Sequence, residues 1–177
     1  MSIKQKKIEV FISKEQIQER IAKLGKQIEK KYSELKEPLI LIGVLKGSLI
    51  FLSDLCRAID LPVELEFMGV SSYGNATESS GIVQITQDLT RSIKGRHILL
   101  VEDIVDTGLT AKYLLKNFKT REPASVALCS LLEKPDKNKN KIKIDFLGFS
   151  IDDDFVVGYG LDLAGIYRNL SYIGKVT

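Results

Sequence analysis

HILLVEDIVDTGLTAKYLLKNFK, residues 97–119, joins three kinds of sequence in one run. Residues 98–105 are apolar and rich in β-branched side chains apart from Glu102 and Asp103. That is the pattern of a buried parallel strand with two carboxylates near its C-terminal end. Buried charges are costly unless something uses them, so the pair asks for a partner. Residues 106–110, DTGLT, form a short turn of small and hydroxyl residues, and 111–118 resumes with Leu114, Leu115 and Phe118 at helical spacing. The unit reads as strand, loop, helix.

A loop of this kind ends at a helix N-terminus, where unpaired N–H groups and the macrodipole favour an anion. Thr107 and Thr110 add hydroxyls, and Gly108 permits close backbone approach. Two carboxylates just before a phosphate cradle suit a ligand with vicinal hydroxyls on one side and a phosphate on the other, which describes a ribose 5-phosphate. Taken alone, the loop reads equally as a capped βα turn with an incidental acidic pair, because short phosphate-loop patterns recur widely.

VEDIVDTGLT, residues 101–110, resembles the phosphoribosyl-diphosphate motif of the type I phosphoribosyltransferases. Asp106 at its place in the loop resembles the hypoxanthine/guanine branch, and further matches run in the same order from Val10 to Lys175. The resemblance implies a doubly wound α/β core with a largely parallel sheet, a flexible lid hairpin and a small hood. It implies a single domain over residues 1–177: a core at about 36–135, a hood from the N-terminal and 144–177 segments, and a lid loop at 71–81. The implied reaction is purine salvage, in which 5-phosphoribosyl passes from phosphoribosyl diphosphate to N9 of hypoxanthine or guanine, with magnesium as cofactor.

The resemblance also implies roles. Asp106 would be the general acid/base at the purine imidazole nitrogen. Glu102 and Asp103 would hold the ribose hydroxyls and, with Asp162, belong to the metal site, Asp162 through a bound water. Thr107, Gly108, Leu109 and Thr110 would cradle the 5-phosphate. Lys134 would read the 6-oxo group, Phe155 would stack on the purine, and Val156 would contact it through backbone. Lys46, Gly47 and Arg168 would meet the diphosphate, and Ser72 and Tyr73 would belong to the closing lid. In the family, the bond corresponding to Leu45-Lys46 can be cis.

The remaining sequence fits this frame. Residues 13–32 form an amphipathic pattern with Ile17, Ile21, Leu24 and Ile28 on one face, opened by a Ser13/Gln16 capping box. LILIGVL, residues 39–45, reads as a central strand, and Ser48 as the cap of a helix to about residue 59 with Leu49, Leu52, Leu55 and Ile59 as its stripe. Val63, Leu65 and Phe67 alternate with Glu64 and Glu66 in a half-exposed strand; residues 82–87 return as its partner. Residues 124–132 are another buried strand, 136–143 a solvated lysine-rich loop, 144–151 an outer strand and 152–154 an acidic turn. His97, the only histidine, reads as structural.

The 177 residues carry 44% apolar and 28% charged side chains with net charge +3, ordinary for one globular domain and too weakly basic to argue for nucleic acid. Cys56 and Cys129 lie in apolar runs and read as buried thiols of a reducing compartment. With no signal-like or membrane-spanning run, the expectation is a cytoplasmic protein acting on small molecules, as a homodimer or homotetramer as in the family. Two rivals differ in class. A phospho-receiver could begin at LLVED, but too little chain follows Asp103 to supply its later strands. An RNA-binding regulator on the same fold would use the lysine-rich stretches; Asp106, Lys134 and FVVGY at 155–159 favour purine catalysis instead.

Overall fold

A strand that is apolar at every position needs cover on both faces. The computed structural model describes residues 7–73 and 82–177 and provides that cover. In chain order the elements are β1 (Ile8–Ile12), α1 (Lys14–Tyr32), β2 (Leu39–Leu45), α2 (Leu49–Arg57), β3 (Val63–Tyr73) and β4 (Ile82–Gln87). There follow β5 (His97–Val105), α3 (Leu109–Lys119), β6 (Ser125–Glu133), β7 (Phe146–Ser150), β8 (Val156–Val157) and β9 (Ile173–Val176). Six of the strands form one sheet in the order β4-β3-β2-β5-β6-β7, parallel except for β4 at its edge.

The two-residue period of a strand divides the core. Leu39, Leu41, Leu99, Val101, Cys129 and Leu131 point to one face, against Ile21, Leu24 and Ile28 of α1 and Phe51, Leu52 and Leu55 of α2. Their neighbours Ile40, Ile42, Ile98, Leu100 and Leu128 point to the other, against Ala111, Leu114 and Phe118 of α3. The β2–α2–β3 connection therefore runs outward on one side of the sheet and β5–α3–β6 on the other. Strand order reverses between β2 and β5, and such a reversal opens a crevice at the carboxyl ends of the strands.

Helix α1 starts as expected: Ser13 Oγ accepts from Gln16 N–H at 3.3 Å, and Gln16 Oε1 accepts from Ser13 N–H at 2.8 Å. A separate antiparallel sheet, β1-β9-β8, joins the two ends of the chain. Neither β1 nor β9 was anticipated as a strand. β1 breaks its own alternation at a register shift between Val10 and Ile12, and β9 has only four residues.

Two other expectations are corrected. On α2 the inward residues are Phe51, Leu52 and Leu55, whereas Leu49 is exposed, and Ser48 makes no side-chain cap; its hydroxyl donates to Val44 O at 2.7 Å. On β3 it is Glu66 that is buried and Leu65 that is 44% exposed. The Glu66 carboxylate accepts from Thr90 N–H at 3.1 Å and Thr90 Oγ1 at 2.7 Å and pairs with Arg91 Nε at 3.0 Å, so its burial is compensated. Cys129 is buried, but Cys56 is only partly so. His97 lies within 2.7 Å of Ser125 Oγ through Nδ1, in keeping with a structural place. No helix among the described residues is long and apolar enough to cross a membrane.

Phe118 is fully buried where α3 meets the sheet. Phe118→Ala is expected to lower the unfolding free energy by about 3–5 kcal/mol through lost transfer energy and a residual cavity, read from the urea midpoint at unchanged m-value.

Candidate active site

The central crevice holds a cavity of about 320 Å³, lined by the end of β2 and Gly47, by Glu102 through Ala111, and by Asp162 and Arg168. Glu102, Asp103, Asp106, Thr107, Gly108, Leu109 and Thr110 are thus brought together with Gly47, Asp162 and Arg168, which lie far away in sequence. The last strand residues are pointed there by the parallel pairing of β5 with β6, and the loop then turns into α3. Gly108 caps α3 in the left-handed region at φ 77°, and a Cβ there would fall 2.8 Å from Asn138 Oδ1, so glycine fits where other residues do not. The first-turn amides of α3, which no carbonyl four residues back can satisfy, border the cavity.

Glu102 is almost fully buried, and its Oε1 has no hydrogen-bond partner among the described residues. Burial, and then the charge of Asp103, push its carboxyl well above the usual range. Asp103 is pushed up to about 6, first by burial and also by the charge of Asp162; its own N–H, that of Ile104 and the Arg168 guanidinium oppose the shift. A Cβ on Gly47 would meet Asp103 Oδ2 at 1.7 Å, so only glycine lets the β2 loop lie against this carboxylate. Asp106 Oδ1 is likewise buried without a partner among the described residues.

Asp162 and Arg168 lie between β8 and β9. They pair with each other at 2.6 Å, Arg168 also donates to Gly160 O at 2.6 Å, and the second Asp162 oxygen accepts from Gly165 N–H at 2.7 Å. Both residues also line an adjoining cleft of about 610 Å³ that contains Lys46, Ser71 and Gln87. The Leu45-Lys46 peptide bond is cis.

Lys134, Phe155 and Val156 are not in the lining of the central cavity. Lys134 follows β6, its N–H donating to Val105 O at 3.0 Å, so it starts beside Asp106; its ammonium donates to Asp153 Oδ1 at 3.2 Å. Phe155 is 54% exposed at the start of β8, and Val156 is buried opposite Lys175. Ser72 and Tyr73 end β3 opposite Val83 and Ile82. The rest of the expected lid, residues 74–81, lies outside the described residues.

The loop at 136–143 proves more than a solvated connection. Asn140 Nδ2 donates to Thr107 O at 2.7 Å, while buried Asn138 donates to Glu133 Oε1 at 3.0 Å and accepts from Ile142 N–H at 3.1 Å. These two asparagines brace the DTGLT turn from behind. The two asparagines between lysines were the available signal, overlooked because a charge-rich composition dominates the window. Lys137, still partly exposed, pairs with Asp153 at 2.6 Å and lies close enough to Asp106 to feel its charge.

Because Asp103 ionises at a higher pH when folded than when unfolded, the folded chain holds more protons in between, and stability falls as pH rises through about 4 to 6. In EDTA-containing buffer, Asp103→Asn is expected to gain stability relative to the natural sequence by up to about 3 kcal/mol between acid and neutral pH, read from urea midpoints.

Comparison with known proteins places this geometry. Residues 13–163 match the family model of the phosphoribosyl transferase domain. The hypoxanthine-guanine phosphoribosyltransferase of Mycobacterium avium is 54% identical over 171 residues, covering 94% of this chain and 84% of that protein. A hypoxanthine-guanine phosphoribosyltransferase structure from Bacillus anthracis superposes with a TM-score of 0.91 at 41% identity, covering 98% of this chain and 100% of that one. The hypoxanthine phosphoribosyltransferase of Trypanosoma cruzi in complex with the product IMP superposes with a TM-score of 0.90 at 39% identity, over 100% of this chain and 97% of that one. With its crevice, acidic pair and glycine-capped loop arranged on that shared fold, the chain belongs to the hypoxanthine-guanine phosphoribosyltransferase family.

Proposed function

We propose that this chain transfers 5-phosphoribosyl from phosphoribosyl diphosphate to N9 of hypoxanthine or guanine, releasing pyrophosphate and forming IMP or GMP. One observation carries the reading. Asp106 Oδ1 is a buried acceptor with no partner among the described residues, in the same cavity as the Glu102–Asp103 pair and the first-turn amides of α3. The names of the relatives support the same reaction.

In this scheme the N-terminus of α3, with Thr107, Gly108, Leu109 and Thr110, holds the 5-phosphate, where amides and dipole already favour an anion. Glu102 and Asp103 face the ribose hydroxyls. The C1′ bond to pyrophosphate breaks as the bond to N9 forms, leaving positive charge on the sugar and negative charge on the departing group. Asp106 takes the proton that the imidazole part of the purine must lose, as a carboxylate positioned at N7 can. Lys46, the Gly47 backbone and Arg168 receive the diphosphate, Arg168 by opening its pair with Asp162. Lys134 donates to the 6-oxo group, Phe155 stacks on the ring, the Val156 backbone meets its edge, and Ser72 and Tyr73 belong to the closing lid. Adenine would turn a second donor towards Lys134, which disfavours it.

The donor set fits magnesium. The unpartnered Glu102 oxygen and the raised Asp103 carboxyl are hard ligands whose burial a cation would relieve. Among the described residues no cluster of three acidic, histidine or cysteine ligands forms a protein-only cage. Magnesium is typically held by one or two carboxylates together with substrate phosphates. Glu102 and Asp103 would hold it, with Asp162 reached through water. When bound, it neutralises charge on the diphosphate leaving group.

The core, lid and hood then act as one catalytic unit. A homodimer or homotetramer is proposed with it, supported by the exposed apolar Leu49 and Ile50 on α2; sedimentation at the mass of one chain would remove that part.

A spectrophotometric assay with phosphoribosyl diphosphate and magnesium should show turnover of hypoxanthine and guanine but not adenine, abolished by EDTA. Asp106→Asn is expected to lower kcat by about 10²- to 10⁴-fold. No turnover of any purine, with phosphoribosyl diphosphate still bound, would overturn the proposal.

A further inference from the structure

The turn between β7 and β8 carries three successive aspartates, residues 152–154, and from sequence it reads as a turn alone. In the structure it is pinned at both ends. Ile151 N–H donates to Glu133 O at 2.9 Å, and Asp154 pairs with Lys175 of β9 at 2.5 Å. Asp153, held between these points, reaches back to the core.

Its Oδ1 accepts from Lys134 Nζ at 3.2 Å and pairs with Lys137 Nζ at 2.6 Å. The two lysines converge because Lys137 N–H donates to Lys134 O at 3.1 Å, closing a turn directly after β6. The Lys134 side chain is only 10% exposed, and Asp153 is its only hydrogen-bond partner among the described residues. An ammonium so enclosed takes its direction from the one partner it has. The backbone bond from Lys134 to Val105 fixes its Cα but leaves four rotatable side-chain bonds unset.

We propose that Asp153 is a positioning residue for Lys134, a fixed anion of the hood that aims the ammonium at the base. This rests on the reading that Lys134 contacts the 6-oxo group. One N–H is held by Asp153, and the others stay available for the purine oxygen. The pair does little for stability, because Asp153 is 57% exposed and solvent screens it. Its effect belongs to base binding.

The test compares Asp153→Asn, Asp153→Glu, Lys134→Met and the double variant Lys134→Met/Asp153→Asn by steady-state kinetics and thermal melting. Asp153→Asn should raise KM for hypoxanthine about tenfold, leave KM for phosphoribosyl diphosphate within about twofold, and leave the melting temperature unchanged. Asp153→Glu should recover part of the loss. Lys134→Met should raise the hypoxanthine KM at least as much, and adding Asp153→Asn to it should change nothing further. If Lys134→Met raises that KM while Asp153→Asn does not, Asp153 has no positioning role and the assignment of Lys134 stands. If Lys134→Met leaves base binding intact, that assignment fails and the proposal with it. Equal rises in both KM values for Asp153→Asn would indicate general disruption and would also overturn it.

Discussion

Two adjacent carboxylates at the end of a central strand, Glu102 buried and Asp103 half-buried, are the constraint on which the rest depends. Glu102 and Asp103 lie on opposite faces of β5, and burial makes ionisation of each unfavourable. The chain tolerates them because they border a cavity, where solvent or a cationic ligand can reach what the protein leaves unpaired. The β2 loop accommodates them through Gly47, whose missing side chain is the space that the Asp103 carboxylate occupies. Arg168, brought in from between β8 and β9, supplies the nearby positive charge.

The location of this pair follows from how the sheet is wound. Connections leaving β2 and β5 in opposite directions part at the carboxyl ends of those strands and leave the cavity between them. The phosphate-sized loop and the acidic pair come from one continuous run on one side of that gap. Across the gap lie Gly47, from the loop after β2, and Asp162 and Arg168, from between β8 and β9. Lys134, directly after β6, starts beside Asp106, because its N–H donates to Val105 O. The residues around the cavity thus come from different segments whose relative placement is set by strand register.

The most legible parts of the sequence were those whose cause is local. Alternation between two buried faces made β2, β5 and β6 continuous apolar runs, and the Ser13/Gln16 box opened α1 where both of its hydrogen bonds form. The DTGLT turn and the acidic pair were visible for the same reason, since strand end, turn and helix start adjoin in sequence. The resemblance carried the reading further, to Arg168, Asp162 and the Leu45-Lys46 bond, none of which spacing alone would have singled out.

Errors fell where a distant partner reversed a local preference. Glu66 should face water on propensity, but Thr90 and Arg91 satisfy it inside while Leu65 on the opposite face lacks cover. Asn138, Asn140 and Asp153 looked like loop decoration because their partners, Glu133, Thr107 and Lys134, become neighbours only after the sheet has formed. The sequence by itself determined the strand–loop–helix units, their order and the residue types at the phosphate loop, because these arise from periodicity and turn chemistry within a short window. Only the tertiary structure decided which carboxylates remain unpaired, which lysine is anchored and which glycine must be bare. Those are outcomes of close packing between segments far apart in the chain, where burial and the nearest opposite charge set the energy.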